Sequence, residues 1–222
     1  AVFACFAGGV CLRALRWSVL IDSSPKAYRA FWEATSLGLA ANQIYPFRAG
    51  EVIRILAIKR FLQIPLGSAA TSAVVDRLGD VGLLGISAAM LTFGYVHLPH
   101  AEIVREVLAV AGGAAVLAIL ILGRTSGRNA LRSLIRWSAR RSIGLQERME
   151  NFYDDSLATL KGILRPGRSA AFAAVTLGVF FVDCAAFLSA ANAFGWDLPW
   201  LAMVTLWLFL GVGTSLPSAP AY

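Results

Sequence analysis

The sequence predicts an all-α, polytopic transmembrane helical bundle with re-entrant or broken helices and inverted repeats. Of its 222 residues, 58% are hydrophobic and 15% are charged, and the mean hydropathy is +0.67. A soluble domain is nearer half apolar and a quarter charged. Several apolar stretches approach the ~20 residues that a helix needs to cross the hydrocarbon, and proline and glycine interrupt one of them. Because one core of this size cannot hide so much apolar surface, lipid is the natural solvent for the remainder.

The apolar segments follow one another in a simple order. The first, 1–21, ends in the basic sequence LRALRW: Arg13 and Arg16 lie near its end, and Trp17 suits the headgroup level of a membrane. The next, 31–47, is short and breaks at NQIYPFRAGE, which predicts a re-entrant or broken helix. Four further spans are predicted over 68–96, 103–123, 169–194 and 201–216. We expect 1–222 to form a single transmembrane domain that is a piece of a longer protein.

The distribution of basic residues predicts the orientation of the chain. The net charge is +7, and ten of the twenty Lys and Arg residues fall between Arg124 and Arg168. The positive-inside rule places such a stretch in the cytoplasm, which predicts a multi-pass protein of the inner (cytoplasmic) membrane. This placement explains the basicity, so we expect no nucleic-acid partner. Lys59 and Arg60 then also lie inside, so 31–54 must enter and leave on one side.

The hydrophilic segment at about 124–168 has helical periodicity. Arginine recurs every four residues from Arg124 to Arg140, which stacks the side chains on one helix face. This pattern predicts a cytoplasmic amphipathic helix on the membrane surface. A solvated connecting helix is the alternative. On the first interpretation anionic headgroups contact Arg128, Arg132, Arg136 and Arg140.

Charged residues near the apolar segments are the candidate functional residues, because a charge at the bilayer centre costs at least ~2.5–3.5 kcal/mol. In the first group, Pro46 removes a backbone donor, Gly50 permits close approach, and Glu51 and Arg54 are spaced to pair. The alternative is a polar helix end with an ordinary ion pair. The whole group is Asn42, Pro46, Arg48, Gly50, Glu51 and Arg54.

Two further groups of charged residues lie later in the chain. Asp76 and Asp80 share a helix face with Arg77 between them, which predicts a net negative cluster. This cluster either answers arginines of the first group across helices, contacts a cationic ligand, or forms an interhelical salt bridge. Asp183 lies in an apolar span without a local cation, so its partner must come from another helix. Otherwise Asp183 is a protonated proton or ion site, or a neutral hydrogen-bonded packing residue.

Motifs for enzymatic chemistry do not occur in the sequence. His97 and His100 have no third ligand nearby, so we expect no metal site. There is no P-loop, no GxGxxG and no Ser-His-Asp order, so we expect neither a cofactor nor an enzyme. The three cysteines have no CxxC spacing and suit buried small hydrophobes.

The run NQIYPFRAGEVIR, followed by AVVDRLGD, resembles the lysylphosphatidylglycerol synthase transmembrane family, also called flippase-like membrane proteins. The upstream LRALRW is similar to the family's Arg-x-x-Arg-Trp, and LPSAPAY, with Pro217 and Pro220, to its second Pro-rich loop. The resemblance implies an integral membrane protein that moves or presents lipids, including aminoacylated phospholipids and lipid-linked sugars. The family's central motifs match Asn42, Pro46, Arg48, Gly50, Glu51, Arg54, Asp76, Arg77, Leu78 and Asp80.

With this resemblance we hypothesise that Arg48, Arg54 and Arg77 receive a phosphate-bearing headgroup, since a guanidinium fork matches phosphate oxygens. Glu51, Asp76 and Asp80 would orient these arginines or bind a basic headgroup. Segments broken by proline at 46 and at 217 and 220 favour a midplane site between inverted repeats.

The predicted function is flippase- or scramblase-like lipid translocation, or binding of a lipid headgroup. The expected partners are phospholipids or polyprenyl-linked lipids. One alternative is a membrane-embedded enzyme that acts on a lipid-linked substrate and uses the Asp76–Asp80 pair. Another is a non-catalytic scaffold for a lipid-modifying synthase. The oligomeric state is left open, a homo-oligomer included.

Overall fold

The computed structural model describes residues 1–21, 24–45, 49–94 and 143–215. These ranges form helices joined by short connections and contain no strand, so the predicted all-α class is confirmed. A 3₁₀ turn, Pro25–Ala27, precedes the second helix. The helices are α1 (Val2–Ile21), α2 (Tyr28–Ile44), α3 (Gly50–Leu62), α4 (Leu66–Gly94), α5 (Ile143–Ile163), α6 (Pro166–Ala193) and α7 (Trp200–Ser215).

Two helices of the described ranges are long and apolar enough to cross a membrane. They are α1 and α6, with mean hydropathies of 1.4 and 2.1. Only 28% and 22% of these segments is buried inside the protein, so most of their apolar surface faces outward, as lipid contact requires. A shorter apolar helix covers Trp200–Gly211 within α7.

The predicted break between α2 and α3 is confirmed. α2 ends at Ile44, α3 begins at Gly50, and the two pack closely as an antiparallel hairpin. Asn42 and Gly38 lie against the start of α3, where a Cβ at Gly50 would overlap the Gly38 carbonyl oxygen. Glycine therefore permits this close approach of two backbones.

Two apolar clusters hold the helices together. One contains buried residues of α1, α2, α3, α4 and α5, among them Trp17, Phe31 and Ile58. The other joins α4, α6 and α7 and includes Phe180 and Met203. Asp76 and Asp80 lie between these two clusters along α4.

The predicted burial of the cysteines is correct only for Cys184, which lies in the second cluster. Cys5 is half-buried and Cys11 is exposed. The prediction for Cys11 is wrong, because Cys11 is exposed at the surface of α1. All three cysteines are free thiols.

Of the predicted amphipathic segment, the structure describes the part from residue 143 onward. It forms α5 and the start of α6, and α5 buries Tyr153 and Ile163 while Phe152 lies at the surface. Several predictions lie outside the described residues: the span at 103–123, His97, His100, Arg128, Arg132, Arg136, Arg140, Pro46, Arg48, Pro217 and Pro220.

Candidate functional site

The charged residues of α3 and α4 meet at an arginine of α1. The Nε atom of Arg16 donates to Oδ1 of Asp76 at 2.6 Å, and its Nη1 atom donates to Oδ1 of Asp80 at 2.6 Å. The Arg16 side chain is 1% exposed. A buried guanidinium is tolerated only when carboxylates pair with it, so Arg16 depends on both aspartates.

Asp76 is shared between two arginines. Its Oδ2 atom accepts a hydrogen bond from Nη2 of Arg54 at 2.6 Å, and its side chain is 3% exposed. The Arg54 guanidinium lies 4.4 Å from the ring centroid of Trp17, a favourable cation–π contact. The Trp17 indole in turn donates to Oγ of Ser72 at 2.8 Å, which fixes the ring beneath Arg54.

Arg77 lies on the more exposed side of these ion pairs and joins Glu51 to Asp80. It binds Glu51 and donates from Nη1 to Oδ2 of Asp80 at 3.0 Å. Glu51 also lies 3.7 Å from Nη1 of Arg54. We call these six residues the charged network: Arg16, Glu51, Arg54, Asp76, Arg77 and Asp80.

The formal charges of the charged network cancel, three arginines against three carboxylates. Asp76, Arg77 and Asp80 by themselves are net negative, as predicted, and they form interhelical salt bridges, one of the predicted alternatives. Arg16 and Arg54 supply the missing positive charge across helices. The expectation that this cluster answers Arg54 is confirmed.

Exposure divides the charged network into two halves. The inner half is Arg16, Arg54 and Asp76, which are at most 8% exposed. The outer half is Glu51, Arg77 and Asp80, whose side chains are 24%, 39% and 30% exposed. The inner half carries a formal charge of +1 and the outer half a charge of −1. A ligand can therefore reach the outer half without unpacking the inner one.

Two predicted residues of the α2–α3 hairpin, Asn42 and Gly50, contribute a hydrogen bond that fixes the backbone, not a charge. Oδ1 of Asn42 accepts a hydrogen bond from the Gly50 backbone N–H at 2.9 Å, which satisfies one unpaired donor of the first turn of α3. Asn42 and Gly50 thus position Glu51 and Arg54. Pro46 and Arg48 lie outside the described residues.

Asp183 of α6 belongs to a second cluster, whose arginine, Arg13, lies about one helical turn before Arg16 on α1. Its Oδ2 atom accepts from Nη2 of Arg13 at 2.7 Å and from the Trp207 indole at 3.2 Å. The prediction that its partner comes from another helix is confirmed. Gly9 leaves room for Arg13, since a Cβ there would lie 2.9 Å from its Nη1 atom.

The interpretation of Trp17 as a residue of the headgroup-level belt is wrong, because its side chain is fully buried between helices. Arg13, Arg16, Trp17 and Trp207 were absent from the predicted site residues. One sequence signal could have found the arginines. Asp76 and Asp183 both needed cations from other helices, and Arg13 and Arg16 share a face of α1. No group of three or more His, Cys, Asp or Glu suited to a metal ion occurs within the described ranges.

Comparisons with known proteins agree with this architecture. The family described as the lysylphosphatidylglycerol synthase TM region matches residues 1–222. A UPF0104 membrane protein of Methanothermobacter thermautotrophicus is 26% identical over 237 residues, covering 95% of this chain. The chain spans 65% of the length of that relative. No solved structure matches the chain.

Proposed function

The chain belongs to the lysylphosphatidylglycerol synthase transmembrane family, and from this premise we propose that it binds lipid headgroups at the outer half of the charged network and moves them between leaflets. The family match supports a lipid-related membrane protein. The binding site and the translocation are our proposal. The lipids would be phospholipids or polyprenyl-linked lipids of the cytoplasmic membrane.

The observation that carries this proposal is the graded exposure of the charged network. Six charged side chains among largely apolar helices cost free energy unless they pair with one another or bind a ligand. Ion pairs that served only to hold the helices together would not need to be accessible. Arg77, however, is 39% exposed, and its partners Glu51 and Asp80 are also accessible. An accessible, already oriented guanidinium is suited to phosphate oxygens.

The mechanism that we propose is an exchange of ion-pair partners. A headgroup phosphate accepts hydrogen bonds from Arg77 while the carboxylate of Glu51 turns to a headgroup amine or to water. Asp80 keeps its hydrogen bond from Arg16, and Asp76 keeps those from Arg16 and Arg54, so no buried arginine is left without a partner. This exchange lowers the cost of bringing a charged headgroup between the helices, because Arg77 has an anionic partner throughout.

The enzyme alternative is disfavoured by the geometry of its acid–base pair. Asp76 is 3% exposed and binds two guanidiniums, so it is both inaccessible and a poor proton acceptor. We therefore propose a binding and transport role rather than a catalytic one.

The test is leaflet exchange in liposomes that contain the purified protein. A fluorescent phosphatidylglycerol is followed by its accessibility to an impermeant quencher, for wild type, Arg77→Gln and Arg29→Gln. We expect Arg77→Gln to slow exchange about tenfold, the equivalent of one charge-assisted hydrogen bond of ~1.5 kcal/mol. Arg29→Gln is the matched control, because Arg29 is 87% exposed and its ion pair with Glu33 is a local one on α2.

Two results would contradict the proposal. One is wild-type exchange at the protein-free rate for phosphatidylglycerol, for an aminoacylated phospholipid and for a polyprenyl-linked lipid alike. The other is an equal effect of Arg77→Gln and Arg29→Gln on exchange, since the outer half would then have no special role.

A further inference from the structure

The six residues of the charged network form a closed ring of alternating charge. Each arginine contacts two carboxylates of the ring, and each carboxylate contacts two arginines. When one contact of such a ring opens, every member still has an oppositely charged partner. One contact can therefore be exchanged without leaving a charge unpaired, which would be costly between helices. In order round the ring, the members are Arg16, Asp76, Arg54, Glu51, Arg77 and Asp80.

The contacts of the ring are not equally tight. Five of the six are hydrogen bonds, and the three that involve Arg16 or Asp76 are each 2.6 Å long. The sixth contact joins Oε2 of Glu51 to Nη1 of Arg54 over 3.7 Å, which is too long for a hydrogen bond. The ring is therefore tightest in its buried inner half and loosest at Glu51.

The two carboxylates that bind Arg77 differ in their freedom to leave it. Asp80 also accepts a hydrogen bond from Arg16, whose side chain is 1% exposed. Movement of Asp80 would remove one of the two carboxylates that this buried guanidinium needs. Glu51 has no such role, because its second partner, Arg54, is already hydrogen-bonded to Asp76. Arg77 thus has one fixed partner, Asp80, and one exchangeable partner, Glu51.

The position of Glu51 on α3 lowers the cost of its release from Arg77. It lies in the first turn of the helix, where the positive end of the helix dipole stabilises a carboxylate. Its side chain is 24% exposed, so water reaches the oxygen that is released. The Asn42 hydrogen bond to the Gly50 backbone N–H fixes the chain just before it. The exchange therefore requires rotation of the Glu51 side chain and leaves the hairpin in place.

We propose that Glu51 is an internal competitor of the ligand at Arg77 and so sets the affinity of the outer half of the charged network. This inference rests on the function proposed above. A phosphate oxygen takes the place of Oε1 of Glu51 at Nη2 of Arg77. Oε2 of Glu51 then closes the 3.7 Å gap to Arg54, while Oε1 turns to water or to a headgroup amine. Asp80 stays on Arg77 and keeps its guanidinium oriented.

The competitor role gives Glu51 an effect opposite in sign to that of Arg77. Removal of the Glu51 charge makes the Arg77 guanidinium more available and takes a like charge away from the phosphate, so binding becomes tighter. A carboxylate that only held helices together would weaken binding when removed, or leave it unchanged. Tighter binding in a variant that lacks one ion pair is therefore the distinctive result.

The experiment measures binding of dioctanoyl phosphatidylglycerol to the purified full chain in detergent by native mass spectrometry. We expect Glu51→Gln, which keeps the size of the side chain, to tighten binding about fivefold, the equivalent of ~1 kcal/mol for a partly exposed ion pair. Asp80→Asn does not tighten it, because Arg77 loses its fixed partner. Glu33→Gln removes the same charge from an exposed pair on α2 and changes binding by less than about twofold.

A second arm repeats the comparison in a chain that carries Arg77→Gln. Without the guanidinium there is nothing for Glu51 to compete for, so Glu51→Gln has no further effect on binding there. A gain that persists in this background would overturn the competitor role, and so would an equal gain in Asp80→Asn or Glu33→Gln, since net charge alone would then explain it. If Glu51→Gln does not fold, Glu51→Ala decides by the same criteria.

Failure of this inference differs from failure of the proposed function. If Arg77→Gln weakens binding but Glu51→Gln does not tighten it, Glu51 is not a competitor, and headgroup binding at Arg77 stands. If Glu51→Gln tightens binding while the protein leaves leaflet exchange at the protein-free rate, the competitor role stands and translocation fails. Unchanged binding in Arg77→Gln would overturn both, because the ligand would then lie elsewhere.

Discussion

Replacing Asp76 by Asn tests whether the inner half of the charged network holds the fold. Asp76 offers one carboxylate oxygen to Arg16 and the other to Arg54, each at 2.6 Å. Asn keeps one acceptor oxygen but turns an NH₂ group toward the second guanidinium. It also removes the only negative charge of the inner half, so two buried arginines face each other.

The expected magnitude follows from the burial of these three side chains. Removing one partner of a buried ion pair costs about 3–5 kcal/mol, because the remaining charge stays desolvated. Asp80→Asn should cost less, about 1.5–3 kcal/mol, since the Asp80 side chain is 30% exposed and water compensates in part. Glu33→Gln is the surface control, and its exposed pair with Arg29 is worth only about 0.3–0.5 kcal/mol.

The assay is equilibrium unfolding of the purified protein in mixed micelles, followed by the helical circular dichroism signal. The free energy of unfolding should fall in the order wild type and Glu33→Gln, then Asp80→Asn, then Asp76→Asn. Adding Arg54→Met to Asp76→Asn removes an unpaired buried charge, so the double variant should be more stable than the sum of the single changes predicts by at least ~1 kcal/mol. An Asp76→Asn variant as stable as Glu33→Gln, to within ~1 kcal/mol, would refute the reasoning.

The remaining predictions concern the second cluster and the hairpin. Asp183→Asn should lower the free energy of unfolding by about 1–3 kcal/mol in the same titration, because Arg13 loses its carboxylate while partly buried; an unchanged value would mean that this pair does not stabilise the contact of α1 with α6. Gly50→Ala should cost about 1–3 kcal/mol, since its Cβ would overlap the backbone of the facing helix. Gly82→Ala is its control: nothing lies within 4 Å of that Cβ, so the change should be neutral or gain up to ~1 kcal/mol of helix propensity. Equal effects of the two alanines would contradict the close approach.

The features that follow from the sequence alone are local ones: helices, a helix break and ion pairs within one helix. Apolar runs of sufficient length specify helices that need lipid. Pro46, which lacks a backbone N–H, and Gly50, which lacks a side chain, specify a helix break, because each affects only the few residues around it. The i, i+3 spacings correctly placed Glu51 with Arg54 and Arg77 with Asp80. The absence of a local cation near Asp183 correctly required a partner from another helix.

Which charged partners meet depends on how the helices pack. The decisive ion pairs join residues that are 22, 60 and 170 positions apart: Arg54 with Asp76, Arg16 with Asp76, and Arg13 with Asp183. Periodicity reveals which side of a helix a charge occupies but not which helix packs against that side. The inward turn of Arg16 and the neutrality of the charged network both arise from helix packing. Each depends on groups that come together only when the cost of burying a charge is met by a carboxylate or arginine from a distant helix.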